Sequence, residues 1–159
     1  MRHIIAMQII LHNIRSAHNV GSVFRTADGA GASKIYLTGY TPSPVDRFGR
    51  EHKEIQKTSL GATQTVPYEV KEDIFSVLGK LKKESRQIVA VEQTEKSVDY
   101  RTFTPEEKTV FIFGNEITGI EEDVLSQTDA QIMLPMSGEK ESLNISVCAG
   151  ITLFHFRDK

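Results

Sequence analysis

The sequence predicts an α/β domain built on a mostly parallel sheet with helices on both faces. Strand-like and helix-like segments alternate along the whole chain, the pattern of successive βαβ units. QIVAV (Gln87–Val91), VFIF (110–113) and QIML (131–134) are compact apolar runs, which suit central parallel strands covered on both sides. A chain of 159 residues, 39% hydrophobic and 25% charged, makes one domain with a sizeable core.

The elements follow in order. Residues 7–12 read as a strand. Residues 20–29 read as a helix, because Val20, Val23, Phe24 and Ala27 fall at i, i+3, i+4 and i+7. Asn19 is the expected N-cap, and Gly29 or Gly31 the left-handed C-cap. KIYLT (Lys34–Thr38) is a second strand, and the Pro-, Gly- and charge-rich stretch 40–59 a connection. Residues 63–66 look like a short strand. Residues 74–84 make a helix on Ile74, Val77, Leu78 and Leu81, and 121–126 a short helix before the third apolar run. Residues 143–156 form the last helix. No repeat or low-complexity linker interrupts this order.

Composition narrows the function. A net charge of −2 gives no general attraction to polyanions, so nucleic acid must meet a local basic patch. The single cysteine, Cys148, excludes an intrachain disulfide and a cysteine-rich metal site, and fits a reducing compartment. The N-terminal run MRHIIAMQIIL is broken by His3 and Gln8; it is too short for a membrane span and lacks a small-residue cleavage site. It reads as the leader into a buried first strand, which places the protein in the cytoplasm. His3, His12, His18, His52 and His155 have no ligand spacing, so no metal is expected.

The last helix is apolar almost all round. Ile145, Val147, Cys148, Ala149, Ile151, Leu153, Phe154 and Phe156 leave a narrow polar strip through Asn144, Thr152 and His155. Such a helix needs cover on nearly every side. A homodimer through it covers the second side.

GAGASK (29–34) is no phosphate loop. Phosphate-binding glycines follow a strand and open a helix, whereas these close a helix and lead into a strand. Three other segments carry the chemistry. NVGSVFRTADGAG (19–31) places Gly21 and Arg25 one turn apart off the apolar stripe, which lets something approach the backbone closely where the guanidinium emerges; a surface Arg25–Asp28 pair is the plain alternative. FIFGNEITGIEED (111–123) runs from a strand through a glycine turn into a helix, with capping-box spacing from Thr118 to Glu121. That leaves Glu116 unexplained at the carboxyl end of a buried strand, where open α/β sheets place ligands. In IMLPMSGEKESLNISVCAG (132–150), Ser142 is placed to cap the last helix, while Asn144 is an amide in need of partners.

Together these segments resemble the SpoU branch of the SPOUT RNA methyltransferases. The first family motif appears as Asn19, Gly21, Arg25 and Thr26; the second as Gly114, Glu116 and Gly119. The third appears as Leu134, Pro135, Met136, Ser142, Leu143, Asn144 and Ser146. KTSLGA (57–62) and AVEQTEKS (90–97) are similar to family text as well, so the resemblance covers nearly the whole chain. It implies a deep C-terminal trefoil knot, against the general rule that chains do not thread, and an obligate dimer.

The implied activity is methyl transfer from S-adenosylmethionine to a ribose 2′-hydroxyl in RNA. Three loops would hold the cofactor: Gln93 and Thr94; Gly114, Asn115, Glu116 and Gly119; and the stretch carrying Ile132, Leu134, Pro135, Met136, Ser142, Leu143 and Asn144. Arg25 would act as the base, or as a fork on the neighbouring phosphate. Asn19, Glu116, Ser142 and Asn144 would shape the site by hydrogen bonding, with Asn19 or Arg25 of one subunit facing the cofactor of the other. Arg47, Arg50, Lys53 and Lys57 are the candidate RNA patch, with Lys34 and Arg15 nearby. The alternative is a solvated helix that pairs its bases with Glu51 and Glu54. The chain is read as residues 1–159 of catalytic domain without an appended RNA-binding domain, which favours tRNA over rRNA. Two rival readings are a catalytically silent knotted dimer that binds RNA or a nucleotide, and a base-methylating relative. A nucleotide-binding hydrolase or dehydrogenase is disfavoured by the missing fingerprints.

Overall fold

A computed structural model describes residues 5–159. His3 and the start of the expected leader lie outside the described residues. Seven strands form one sheet: β1 (Gln8–His12), β2 (Lys34–Thr38), β3 (Tyr68–Lys71), β4 (Gln87–Val91), β5 (Val98–Asp99), β6 (Thr109–Phe113) and β7 (Ala130–Met133). Their order is β3-β2-β1-β6-β4-β7-β5, and every pairing is parallel. Gln8 stands opposite both Lys34 and Val110, and Gln87 opposite Thr109. All carboxyl ends therefore meet at one edge.

The period-2 alternation of each strand divides the core between two faces. Ile9, Leu11, Val89, Val91, Phe111 and Phe113 face α1 (Ala17–Ala30), α2 (Lys53–Ser59) and α6 (Ile145–Phe156). Ile10, Tyr36, Ile88, Ala90, Val110 and Ile112 face α4 (Ile74–Lys83) and α5 (Glu122–Leu125). The expected layers are present.

Three local readings need correction. Ser16, not Asn19, caps α1: its hydroxyl accepts the Asn19 N–H at 3.2 Å, so the helix starts a turn earlier and Asn19 lies buried inside it. Gly31, at φ +76°, ends it. The strand expected at 63–66 is instead a helical turn, α3 (Ala62–Thr65), entered through Gly61 at φ +87°. Pairing places the strand further on, where Ile35 stands opposite Tyr68. The stretch 40–59 ends in α2, which buries Ile55.

Gly21 explains how α2 seats. A β-carbon there would lie 2.6 Å from the Ile55 carbonyl and collide with the Thr58 hydroxyl. The close approach suggested by Gly21 is thus made by the chain's own second helix. No substitution fits that gap without moving backbone. We expect Gly21→Ala to destabilise the fold by about 1–3 kcal/mol, read as a lower urea midpoint at unchanged m-value.

Candidate functional site

A cavity of about 300 Å³ opens at the carboxyl edge of β4, β6 and β7 and is closed by the approach to α6. This is where a parallel α/β sheet leaves a crevice. Its lining is mixed, and the apolar part is made by Val91, Phe113, Met133, Leu134, Met136, Leu143 and Ile145. Three acidic residues, Glu92, Glu116 and Glu141, also border it.

Two glycines make the loop after β6 possible. A β-carbon on Gly114 would come within 2.9 Å of the Gly119 backbone, and one on Gly119 within 2.5 Å of a Glu92 carboxylate oxygen. Gly119 also sits at φ +70°, which side chains rarely adopt. Glu92 is the group the turn closes on. Its Oε1 accepts the Gln93 N–H at 2.9 Å, and its Oε2 the Ile120 N–H at 3.1 Å. The Gln93 amide donates to the Leu134 carbonyl at 3.4 Å, joining the first loop to the third.

Asn115 organises the loop interior. Its Oδ1 accepts the N–H groups of Ile117 and Thr118, both at 2.8 Å. Its Nδ2 donates to the Asn13 carbonyl and the Tyr40 hydroxyl, both at 2.9 Å. Glu116 reaches the other way and accepts the backbone N–H groups of Arg15 at 3.2 Å and Ser16 at 3.4 Å. A carboxylate at the start of α1 also meets the positive end of that helix dipole. Glu116 therefore has a structural role beside any chemical one.

Asn144 resolves differently from expectation. It, not Ser142, caps α6, accepting the Ser146 N–H at 2.9 Å. Its amide also donates to Asn19 Oδ1 at 3.3 Å, across 125 residues of sequence. Both residues find partners in the protein, and Asn144 is exposed where a buried amide was expected.

The structure thus brings Gln93, Gly114, Asn115, Glu116, Gly119, Leu134, Met136, Ser142 and Leu143 to the cavity wall. Thr94, Ile132, Pro135 and Asn144 do not line it. Ile132 is fully buried within the core and cannot offer a wall. Thr94 is turned toward Ser97 and Gln131, and Pro135 is exposed. Arg25 is exposed on α1, is not on the cavity wall and makes no ion pair among the described residues. The Arg25–Asp28 pair does not form, since Asp28 accepts from Thr65 instead. In the basic patch, Arg50 pairs with Asp46 at 2.8 Å, not with Glu51 or Glu54. Lys34 lies at the opposite sheet edge, paired with Glu69 at 2.7 Å. It leaves the patch.

The SpoU rRNA Methylase family model matches residues 6–154. The chain belongs to this family. It is 26% identical over 148 residues to the tRNA (guanosine(18)-2′-O)-methyltransferase of Escherichia coli, covering 93% of this chain and 61% of that one. It is 30% identical over 149 residues to the 23S rRNA (guanosine-2′-O-)-methyltransferase of Neisseria meningitidis, covering 94% and 57%. An AdoMet-bound rRNA methyltransferase from Sinorhizobium meliloti superposes with a TM-score of 0.82 at 29% identity, covering 93% and 54%. The chain therefore spans only about three fifths of the length of these relatives.

Two features of this SpoU chain escaped sequence reasoning. Glu92 lies in the AVEQTEKS stretch but was not singled out there, and its role exists only once Gly119 folds back over it. The second is a polar cluster beside the loop, centred on the buried His12. Its Nδ1 is 2.8 Å from the Thr38 hydroxyl and its Nε2 3.1 Å from Glu121. Asn13, held at φ +55°, donates to the same Glu121 at 2.8 Å. Burial pushes the His12 pKa below its ordinary value, although Glu121 pulls it upward. Burial lowers His155 too.

Both imidazoles thus bind protons less readily when folded. Stability is full above the unfolded value near 6.5 and is lost as pH falls below it toward the folded values. We expect guanidinium unfolding to show reduced stability at pH 5.5 relative to 7.5, and His12→Gln to shrink that difference.

Proposed function

We propose that this chain transfers a methyl group from S-adenosylmethionine to a ribose 2′-hydroxyl in RNA, tRNA or rRNA. The observation that carries the reading is the mixed character of the cavity: apolar side chains on one part of the lining, with the acidic residues Glu92, Glu116 and Glu141 and the polar Gln93, Asn115 and Ser142 on the rest. Such a lining suits the flat adenine and positive sulfonium of this cofactor, and it repels the phosphates of a nucleotide. That disfavours a nucleotide-binding module. The relatives from E. coli and N. meningitidis, named as 2′-O-methyltransferases, support ribose over base.

The cofactor supplies an electrophilic methyl group on sulfur. The protein then has to align the attacking oxygen and exclude water. Gln93, Gly114, Gly119, Leu134, Met136 and Leu143 would hold the cofactor, with the loop amides reading its polar edge. Arg25 would fork onto the phosphate beside the target ribose and orient its hydroxyl, since a guanidinium is a strong donor and a poor base near neutral pH. Asn19, Asn144 and Ser142 would shape the approach. The cytoplasm is the proposed compartment, supported by the unpaired Cys148; no helix of the described residues is long and apolar enough to cross a membrane.

A knotted homodimer belongs to the same proposal. β7 is inserted between β4 and β5, so the chain leaving β7 passes the connection that joins its two neighbours. That insertion supports the knot. Val147, Ile151 and Phe154 form an exposed apolar stripe at i, i+4 and i+7 of α6, which supports a second copy packed on that helix. A partner docked there would bring its own Arg25 to a cavity that lacks one.

Calorimetry with S-adenosylmethionine, followed by nucleoside mass spectrometry of separate tRNA and rRNA fractions, tests the activity. Arg25→Ala should abolish transfer and leave cofactor affinity within about twofold; a parallel loss of cofactor binding would refute its role. Ile151→Asp combined with Phe154→Asp should yield a folded monomer by light scattering, with transfer lost.

A further inference from the structure

The connection from β2 to α2 carries a small rigid hairpin that none of the cavity chemistry uses. Val45 and Glu51 pair antiparallel, and the Asp46 N–H donates to the Arg50 carbonyl at 2.9 Å. The Asp46 carboxylate fills the turn: it accepts the Phe48 N–H at 2.8 Å, the Arg50 N–H at 3.0 Å and the Arg50 Nε–H at 2.8 Å. Gly49, at φ +80°, completes it. Phe48 is carried at the tip with 67% of its surface exposed, outside both core clusters. Its ring centroid lies 4.7 Å from the Arg47 guanidinium carbon and 5.1 Å from that of Arg50. Nothing in the fold requires an aromatic ring there.

The ring's setting selects its partner. An apolar protein surface placed on Phe48 would have to strip water from two guanidinium groups without replacing it. An unpaired nucleobase stacks on the ring, and its neighbouring phosphate takes up a guanidinium. Arg50 is fixed to Asp46, whereas Arg47 makes no ion pair among the described residues and is the group able to move to a phosphate. Lys53 and Lys57, exposed on α2, continue the positive surface. The same connection begins at Tyr40, whose hydroxyl is bonded to Asn115 on the cavity wall.

We propose that Phe48, between Arg47 and Arg50, is a stacking platform for an unpaired base of the RNA substrate. This rests on the methyltransferase reading above and adds a substrate feature to it: the RNA is engaged at a single-stranded loop, because bases in a duplex hide their faces.

The chain contains no tryptophan, so Phe48→Trp installs a single indole reporter. The full-length variant would be titrated with an unstructured oligoribonucleotide and with a duplex of the same length. The single strand should quench the indole saturably and the duplex should not. Phe48→Ala should weaken single-strand affinity about 5- to 150-fold, Phe48→Tyr should retain it, and S-adenosylmethionine binding should be unchanged in all three. Equal quenching by duplex overturns the platform, as does an affinity loss accompanied by a change in oligomeric state, which would make the ring a protein contact. Unchanged RNA affinity in Phe48→Ala with transfer intact overturns the platform alone. Quenching by RNA in a protein that binds no S-adenosylmethionine overturns the transferase reading and leaves the platform standing.

Discussion

Parallel pairing of β1, β6, β4 and β7 in one register is the constraint on which the site depends. It sends four carboxyl ends to a single edge, so segments more than a hundred residues apart leave the sheet side by side. A slip of one residue in any of these ladders would turn the core side chains of that strand to the wrong face. The loops are then tied together by short polar links. Glu116 holds the first amides before α1, Asn115 holds Asn13 and Tyr40, Gln93 holds Leu134, and Asn144 holds Asn19. Each link crosses between loops that the sheet had already brought close.

What could be read from the sequence follows from how local each signal is. The strands at 87–91 and 109–113 were legible because burial on both faces forces an unbroken apolar run. The helices α1 and α4 were legible because a stripe at helical spacing has no other use. α3 was misread because Thr and Val favour strands, while its true conformation is set by Gly61 and by the pairing of Tyr68 with Ile35. β5 has two residues and no periodicity to read. Caps were misplaced by two or three residues because Ser16 competes with Asn19, and Asn144 with Ser142, for the capping position. Geometry alone decides between them.

The site shows the same division. Gly114 and Gly119 were legible as turn glycines, yet the reason both are glycine lies in contacts of Gly114 with Ile120 and the Gly119 backbone, and of Gly119 with Glu92. Glu92 was not legible as the group that closes the turn, because one of its two amide partners lies at position 120. Gly21 illustrates the opposite case, a signal without its partner. A glycine one turn from an arginine suggested a close approach to the backbone, and what makes the approach is α2.

Several residues that resemble family site positions also hold the fold. Removing Glu116 frees two amides at the start of α1, and removing Asn144 uncaps α6 and releases Asn19. Loss of activity in either variant would mix chemistry with structure. Arg25 has no such role: it pairs with nothing among the described residues and does not line its own chain's cavity. A long cation held free on a helix surface costs the fold little, and its absence should cost the fold equally little. The apolar stripe of α6 is the other feature that one chain leaves unused. A single packing event, with α6 of a second copy laid on that stripe, would cover the apolar surface and deliver the missing cation together. On the proposed dimer, one contact would account for both loose ends.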